Sequence, residues 1–275
     1  MRKNTIIAII IGIVLIAGLC FYYNCPIKNM EEAIHETNKP SLFSSHLKMK
    51  KWRNNECKGD TLDCAVVRIH FVQFQDSTRQ DLARQFNDTI NALLLHTLSD
   101  FSEENTTTQS IDQLAQQFLD GYDEENRLSP SYPWNMDISI DLIHQTPHTI
   151  TIQEASSSYT GGAHPNTYVS YHNYLSNTAK LLSIDDIIIN RDELLKVAEK
   201  AFRQANDMTA GDDFYEKGFE MDSLFVLSQN FALTKDGLDF LYNPYEIAPY
   251  SMGTIEFSIP YADLENILKP AFILK

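Results

Sequence analysis

An α+β fold is predicted by the 275-residue sequence: antiparallel sheets with packed helices, in two small subdomains behind an N-terminal transmembrane anchor. Three observations predict it. Strand-like stretches come in neighbouring pairs with helical stretches interspersed, unlike the strict strand-helix alternation of a parallel α/β chain. An uncharged run from Asn4 to Pro26 opens the chain, apolar from Ile6 to Tyr23. Hydrophobic residues at 43% and charged residues at 21% match ordinary globular proteins and exclude a disordered or fibrous chain.

The elements follow in order. The 18 residues from Ile6 to Tyr23 approach the length that crosses a bilayer core and exceed a typical signal-peptide apolar stretch. Arg2 and Lys3 before the run, with Lys28 after it, favour a cytoplasmic amino terminus and an exported carboxyl side. No small-x-small cleavage site follows. Cys20 leaves lipidation open as an alternative, although Leu19 stands where a lipoprotein site wants a small residue; removal of the segment is a third reading. Residues 27–54 are polar, with Pro40 and a serine cluster, and read as a tether. Two units follow, 55–157 and 158–275.

In the first unit, Val67, Ile69 and Phe71 alternate with Arg68 and His70 as in a half-buried strand. Leu82, Phe86, Ile90, Leu94 and Leu98 mark an amphipathic helix opening near Ser77 or Thr78. A second helix starts at Ser110, with Gln113 in capping-box position and Leu114, Phe118 and Tyr122 on one face. Trp134, Met136, Ile138, Ile140 and Leu142 alternate with polar residues, and Ile150 and Ile152 begin the hairpin partner. In the second unit, a tyrosine-rich strand at 167–175 follows the glycine turn at 161–162. A helix begins near Asn190, carrying Leu194, Val197, Ala201, Phe202 and Ala205. Strands at 224–233, 238–242 and 253–259 precede a short helix after Pro260.

Lys and Arg number 22 against 37 Asp and Glu, a net charge of −15. Residues 45–275 alone hold 18 against 34, or −16, so the acidity belongs to the part expected outside. That sign excludes a nucleic-acid binder that works by neutralising phosphates, and it permits basic partners. Cys57 and Cys64, six residues apart in spacer, read as a disulfide suited to an oxidising compartment. Two thiols without nearby Cys or His make a poor zinc pair.

Two motifs are unusual in combination. The first is Tyr159-Thr160-Gly161-Gly162-Ala163-His164-Pro165-Asn166. The second runs from Leu238 to Gly253 around Tyr242-Asn243-Pro244-Tyr245-Glu246-Ile247-Ala248-Pro249-Tyr250, followed by Ile259-Pro260-Tyr261-Ala262-Asp263-Leu264. In this order they resemble a bacterial family of exported domains of unknown function. That family is shared by the lysozyme-binding ectodomains of certain anti-sigma factors and a non-catalytic region of some peptidoglycan deacetylases. The resemblance runs from about residue 55 to the end. It implies an α+β cell-envelope module that recognises a peptidoglycan-like glycan or a basic protein such as lysozyme. Met1 to Thr5 are too few to hold a sigma factor, and the chain stops soon after the last motif, so the expectation is the binding or sensing module alone.

Ligand-binding candidates are Tyr159, Gly161, Gly162, His164, Tyr245, Glu246 and Tyr250. The glycines permit positive φ and exposed amides, and the tyrosines offer stacking faces. A hydrolase reading instead pairs His164 with Glu246 as an acid/base couple. Each also has a structural reading: a tight turn, a buried hydrogen bond, edge packing. His144 and His148 bracket a turn rather than share a helix face, so they do not read as zinc ligands. Asp212, Asp213, Glu216, Glu220 and Asp222 lack calcium-loop spacing and read as a solvated surface. No metal and no cofactor is implied: the sequence has no G-x-S-x-G, phosphate-binding glycine loop or dinucleotide fingerprint.

Overall fold

The computed structural model describes residues 42–54, 64–100, 109–128, 132–221 and 224–273. The expected anchor at 6–23, Cys20 and Cys57 lie outside the described residues, and with them the expected pairing of Cys57 to Cys64. Among the described residues, no helix is long and apolar enough to cross a membrane.

A six-stranded sheet runs in the order β1 (Ser44–Arg53), β2 (Val66–Gln75), β3 (Asn135–Gln145), β4 (Thr149–Tyr159), β5 (Asn166–Leu175) and β6 (Leu181–Leu182). The expectation of antiparallel sheets is corrected at one place: β2 and β3 run parallel. Between them the chain inserts α1 (Gln80–Ser99) and α2 (Ile111–Leu128), and such a crossover returns the next strand in the same direction. The remaining neighbours are antiparallel.

The tether expected at 27–54 is corrected too. Ser44–Arg53 pair along their whole length with β2. The strand escapes a periodicity test because it is an edge: Leu47 and Met49 are exposed, so no apolar face alternates with a polar one. Lys48, Lys50 and Lys51 supply the charge that deters an edge from pairing with other chains.

Side-chain hydrogen bonds shape the start of each long helix: a turn closed by Asp76 precedes α1, and a capping box opens α2. Asp76 accepts from the Thr78 hydroxyl, the Thr78 amide and the Arg79 amide at 2.7–2.9 Å. The Thr78 hydroxyl is the largest of the influences that hold its carboxyl well below the usual carboxylate range. This turn delays α1 to Gln80, beyond the expected Ser77 or Thr78. At α2 the expected box forms, with Gln113 accepting from the Ser110 amide at 2.8 Å and Ser110 from the Gln113 amide at 3.3 Å. One core then joins Phe86, Ile90, Leu94 and Leu98 of α1 with Leu114 and Leu119 of α2 and the even-numbered residues Met136 to Ile140 and Ile150 to Ile152 of the sheet.

A second core lies between α4 (Arg191–Ala205) and a three-stranded antiparallel sheet, β7 (Phe231–Leu233), β8 (Gly237–Tyr242) and β9 (Ile255–Pro260). The single turn α3 (Ile184–Ile187) precedes it, closed by a Ser183–Asp186 capping box. Asn190 caps α4 by accepting from the Glu193 amide at 3.1 Å. The buried line of α4 is Leu194, Ala198 and Phe202, four residues apart; the expected Ala205 is exposed. Gly237 is required by space, because a Cβ there would meet the Ile259 carbonyl oxygen at 2.0 Å. The strand expected at 224–233 is shorter and begins only at Phe231. Leu224 and Val226 are exposed, and the stretch before Phe231 is pinned instead by the Ser228 hydroxyl, which donates to the Leu241 carbonyl at 2.7 Å.

The boundary expected between residues 157 and 158 falls inside β4. The two cores part between Tyr174 and Leu182 instead: β5 still contributes Tyr174 to the first, and the last strand of the same sheet, β6, already contributes Leu182 to the second.

Candidate functional site

Both motifs converge on β5. Among the described residues, β6 pairs with β5 only at Asn173 and Tyr174, so the earlier part of that edge has no strand partner. Side chains take the strand's place. Asn230 accepts from the Tyr171 amide and donates to the Val169 carbonyl, both at 2.7 Å. Asn243 accepts from the Val169 amide at 2.8 Å and donates to the same carbonyl at 3.0 Å. A carboxamide offers a donor and an acceptor together, as a backbone unit does, and so satisfies an edge that would otherwise template aggregation.

Glu246 holds Asn243 in position, accepting from its amide at 3.0 Å and from its side chain at 3.4 Å. The next motif residue outward, Tyr245, takes φ +71° and is 65% exposed. On the other motif, Gly161 and Gly162 have φ +95° and +105° with open space where a Cβ would lie, so backbone conformation alone demands glycine. Tyr159 donates its hydroxyl to the Gly162 carbonyl at 3.1 Å. His164 stacks on Tyr250 with ring centroids 3.6 Å apart and 17° between planes. The Tyr250 hydroxyl donates to the Pro165 carbonyl at 2.8 Å, and His164 Nδ1 lies 3.0 Å from the same oxygen. His164 Nε2 is 3.5 Å from the Tyr245 hydroxyl.

The structure thus brings Tyr159, Gly161, Gly162, His164, Tyr245 and Tyr250 to one surface. Glu246 belongs to the Asn243 clamp, and no hydrogen bond joins it to His164 among the described residues. His144 Nε2 is buried without a hydrogen-bond partner, and burial lowers its pKa. Asp212 and Asp213 close local turns on the Thr209 and Glu216 amides; Asp222 lies outside the described residues. Among the described residues, no three His, Cys, Asp or Glu side chains gather as a metal site.

A cleft of about 620 Å³ takes only Asn166, the last residue of the first motif, from either motif. It lies where the C-terminal turn of α1 meets β4 and β5, and Thr97, Asp100, Glu154, Ser156, Tyr168 and His172 line it. Glu154 accepts from the Thr97 hydroxyl and lies 3.1 Å from His172 Nε2. The sequence does carry a signal for it. The face of β4 that carries Ile150 and Ile152 continues as Glu154, Ser156 and Ser158, so the apolar phase stops while the strand goes on. That break is where the core ends and a polar floor begins.

The fold is shared by solved proteins described as DUF3298 family members. One from Pseudomonas aeruginosa PAO1 superposes with a TM-score of 0.66 at 24% identity, over 86% of this chain and 100% of that one. Another from Bacteroides fragilis NCTC 9343 gives 0.64 at 21% identity, over 86% and 98%. In sequence, residues 185–262 match the family described as "Protein of unknown function (DUF3298)", and residues 58–167 match "Deacetylase PdaC". The peptidoglycan-N-acetylmuramic acid deacetylase PdaC of Bacillus subtilis (strain 168) is 25% identical over 144 residues. That match covers 51% of this chain and 30% of the relative, so the chain spans less than a third of that protein's length. The matches tie the domain of unknown function to deacetylases, as the motifs led one to expect.

Proposed function

We propose that this chain is a bacterial envelope module that binds a peptidoglycan-like glycan without transforming it. Residues 6–23 anchor it in the cell membrane, the C-terminal part is exported, and Cys57 and Cys64 form a disulfide suited to that compartment. The Tyr245 surface is the observation that carries this reading. A non-glycine residue at positive φ costs about 1–3 kcal/mol and persists where its surroundings impose it, often at ligand contacts. Here the Tyr245 amide donates to the Ala248 carbonyl at 3.0 Å and the ring is turned to solvent beside Tyr250, 5.8 Å away. Exposed tyrosine rings and backbone carbonyls in one patch suit the apolar faces and hydroxyls of sugars. The deacetylase relative, by its name, acts on peptidoglycan, which supports the same class of ligand.

Co-sedimentation with purified peptidoglycan tests it. Tyr245→Ala is expected to weaken retention about tenfold, the effect of losing one aromatic anchor, while the melting temperature holds, because the side chain is exposed and alanine keeps a Cβ at the same positive φ. Unchanged retention by a folded Tyr245→Ala protein would remove the patch as the glycan site.

Charge favours a second reading, a basic protein such as lysozyme as partner. A surplus of 16 negative charges on residues 45–275 steers a cationic protein toward encounter. Association measured by surface plasmon resonance should then slow at least about tenfold between low and physiological salt. A salt-independent association rate, or no binding at low salt, rules this partner out.

A further inference from the structure

We infer that the cleft between α1 and the β4–β5 strands binds a saccharide bearing a free ammonium group, an amino sugar that has lost its acyl cap. The cleft shares Tyr168 and Ser170 with a groove beside Asn230 and Glu246, but neither Tyr245 nor His164 lines it, and the inference does not depend on the Tyr245 patch.

Charge sets the ligand class. Glu154 and Asp100 are the carboxylates lining the cleft, and among the described residues no Lys or Arg lines it. A ligand carrying carboxylate or phosphate would meet these groups uncompensated, whereas a cation would be held. The helix adds to this. His96, Thr97 and Asp100 belong to the C-terminal end of α1, where the helix dipole leaves partial negative charge that favours cations.

Glu154 is shaped to receive the cation. It is 8% exposed, and its two oxygens are engaged singly, one by the Thr97 hydroxyl and one by His172. A carboxylate oxygen has two lone pairs, so each still has acceptor capacity. Held between two partners, the carboxylate is oriented before any ligand arrives. An ammonium donating to it would make a charge-assisted hydrogen bond in a partly desolvated place, the stronger kind.

The rest of the cleft suits a sugar. Tyr168 stands at the rim, 52% exposed, and presents a ring face to an apolar sugar face. Ser156 and Ser170 add hydroxyls that both give and accept hydrogen bonds. A volume of about 620 Å³ lies within the range of roughly 300–1,000 Å³ usual for small-molecule sites. Hydrolysis of the N-acyl amide of a glycan is the class of reaction that supplies such a ligand: water cleaves the amide, the carboxylic acid departs, and the amine takes up a proton.

The test is calorimetric titration of the full chain with a glucosamine trimer and with its fully N-acetylated counterpart, at a pH where the amine is protonated. The free amine trimer is expected to bind at least about tenfold more tightly. Glu154→Gln should abolish that preference, and Tyr168→Ala should weaken both trimers about fivefold or more. Because Glu154 is buried and Glu154→Gln could disturb folding, Asp100→Asn, at an exposed position that lines this cleft and not the groove beside Asn230, is the second variant and should lower the free-amine preference about threefold or more. Equal affinity, preference for the acetylated trimer, or no binding would overturn the inference. So would binding indifferent to Tyr168→Ala. Tyr245→Ala should leave trimer affinity unchanged; if it lowers the affinity, the ligand sits on the patch and the cleft assignment fails. Peptidoglycan sedimentation, weakened by Tyr245→Ala, reports separately on the other site.

Discussion

Phe202→Ala is expected to lower stability by about 4 kcal/mol, near the upper end for truncating a buried ring. The side chain is fully buried in the last turn of α4. Its ring is the hub of an aromatic group, with centroids 5.0 Å from Phe219, 5.4 Å from Phe225, 5.8 Å from Phe257, 5.9 Å from Phe214 and 6.0 Å from Tyr242. These neighbours come from the turns after α4 and from two strands, so they cannot all collapse into the space a missing ring leaves. The loss therefore combines transfer of the ring with a residual cavity. Urea unfolding followed by circular dichroism checks it; a loss under about 1 kcal/mol would mean that the site repacks.

Asn173→Ala is expected to cost about 3 kcal/mol through a different mechanism. Asn173 is 1% exposed on β5 and reaches across to β7, accepting from the Leu233 amide at 2.8 Å and donating to the Phe231 carbonyl at 2.7 Å. Alanine leaves both backbone groups buried and unpartnered, which costs more than the two hydrogen bonds contribute. The effect is also local. Hydrogen exchange at the Leu233 amide should accelerate well beyond the change in global stability, because that proton loses its acceptor. Protection of Leu233 that falls only in step with global stability would show that another group replaces Asn173.

The pattern of residues makes much of the fold legible. Alternation from Trp134 to Leu142, the fourfold spacing from Phe86 to Leu98 and the Ser110–Gln113 box each correspond to the expected element, because each buries one face. What escapes lacks a buried face. Strand β1 is an exposed edge, and the stretch before Phe231 follows hydroxyl anchors rather than a ladder. The parallel pairing of β2 with β3 is a matter of connection, not of composition.

The site is legible in part. Gly161, Gly162 and His164 can be marked as a turn, and Tyr245 and Tyr250 as surface rings, from residue type alone. Their meeting depends on Asn243 capping β5, a contact across 74 residues of sequence that no spacing announces. Glu246 misleads for the same reason: a carboxylate three residues from an asparagine reads as chemistry until its hydrogen bonds are seen. The cleft leaves no motif because Glu154, Thr97 and His172 are dispersed over the chain, and only sheet register assembles them.

Register has one more consequence, at β5. Side chains alternate along a strand, so Tyr168, Ser170 and His172 belong to the cleft while Val169, Tyr171 and Asn173 are gripped by Asn243, Asn230 and β7. Six consecutive residues are thus a single shared wall. Displacing the small β module drags on the backbone of every second residue and tilts those between, so a load on one side of the strand is felt on the other.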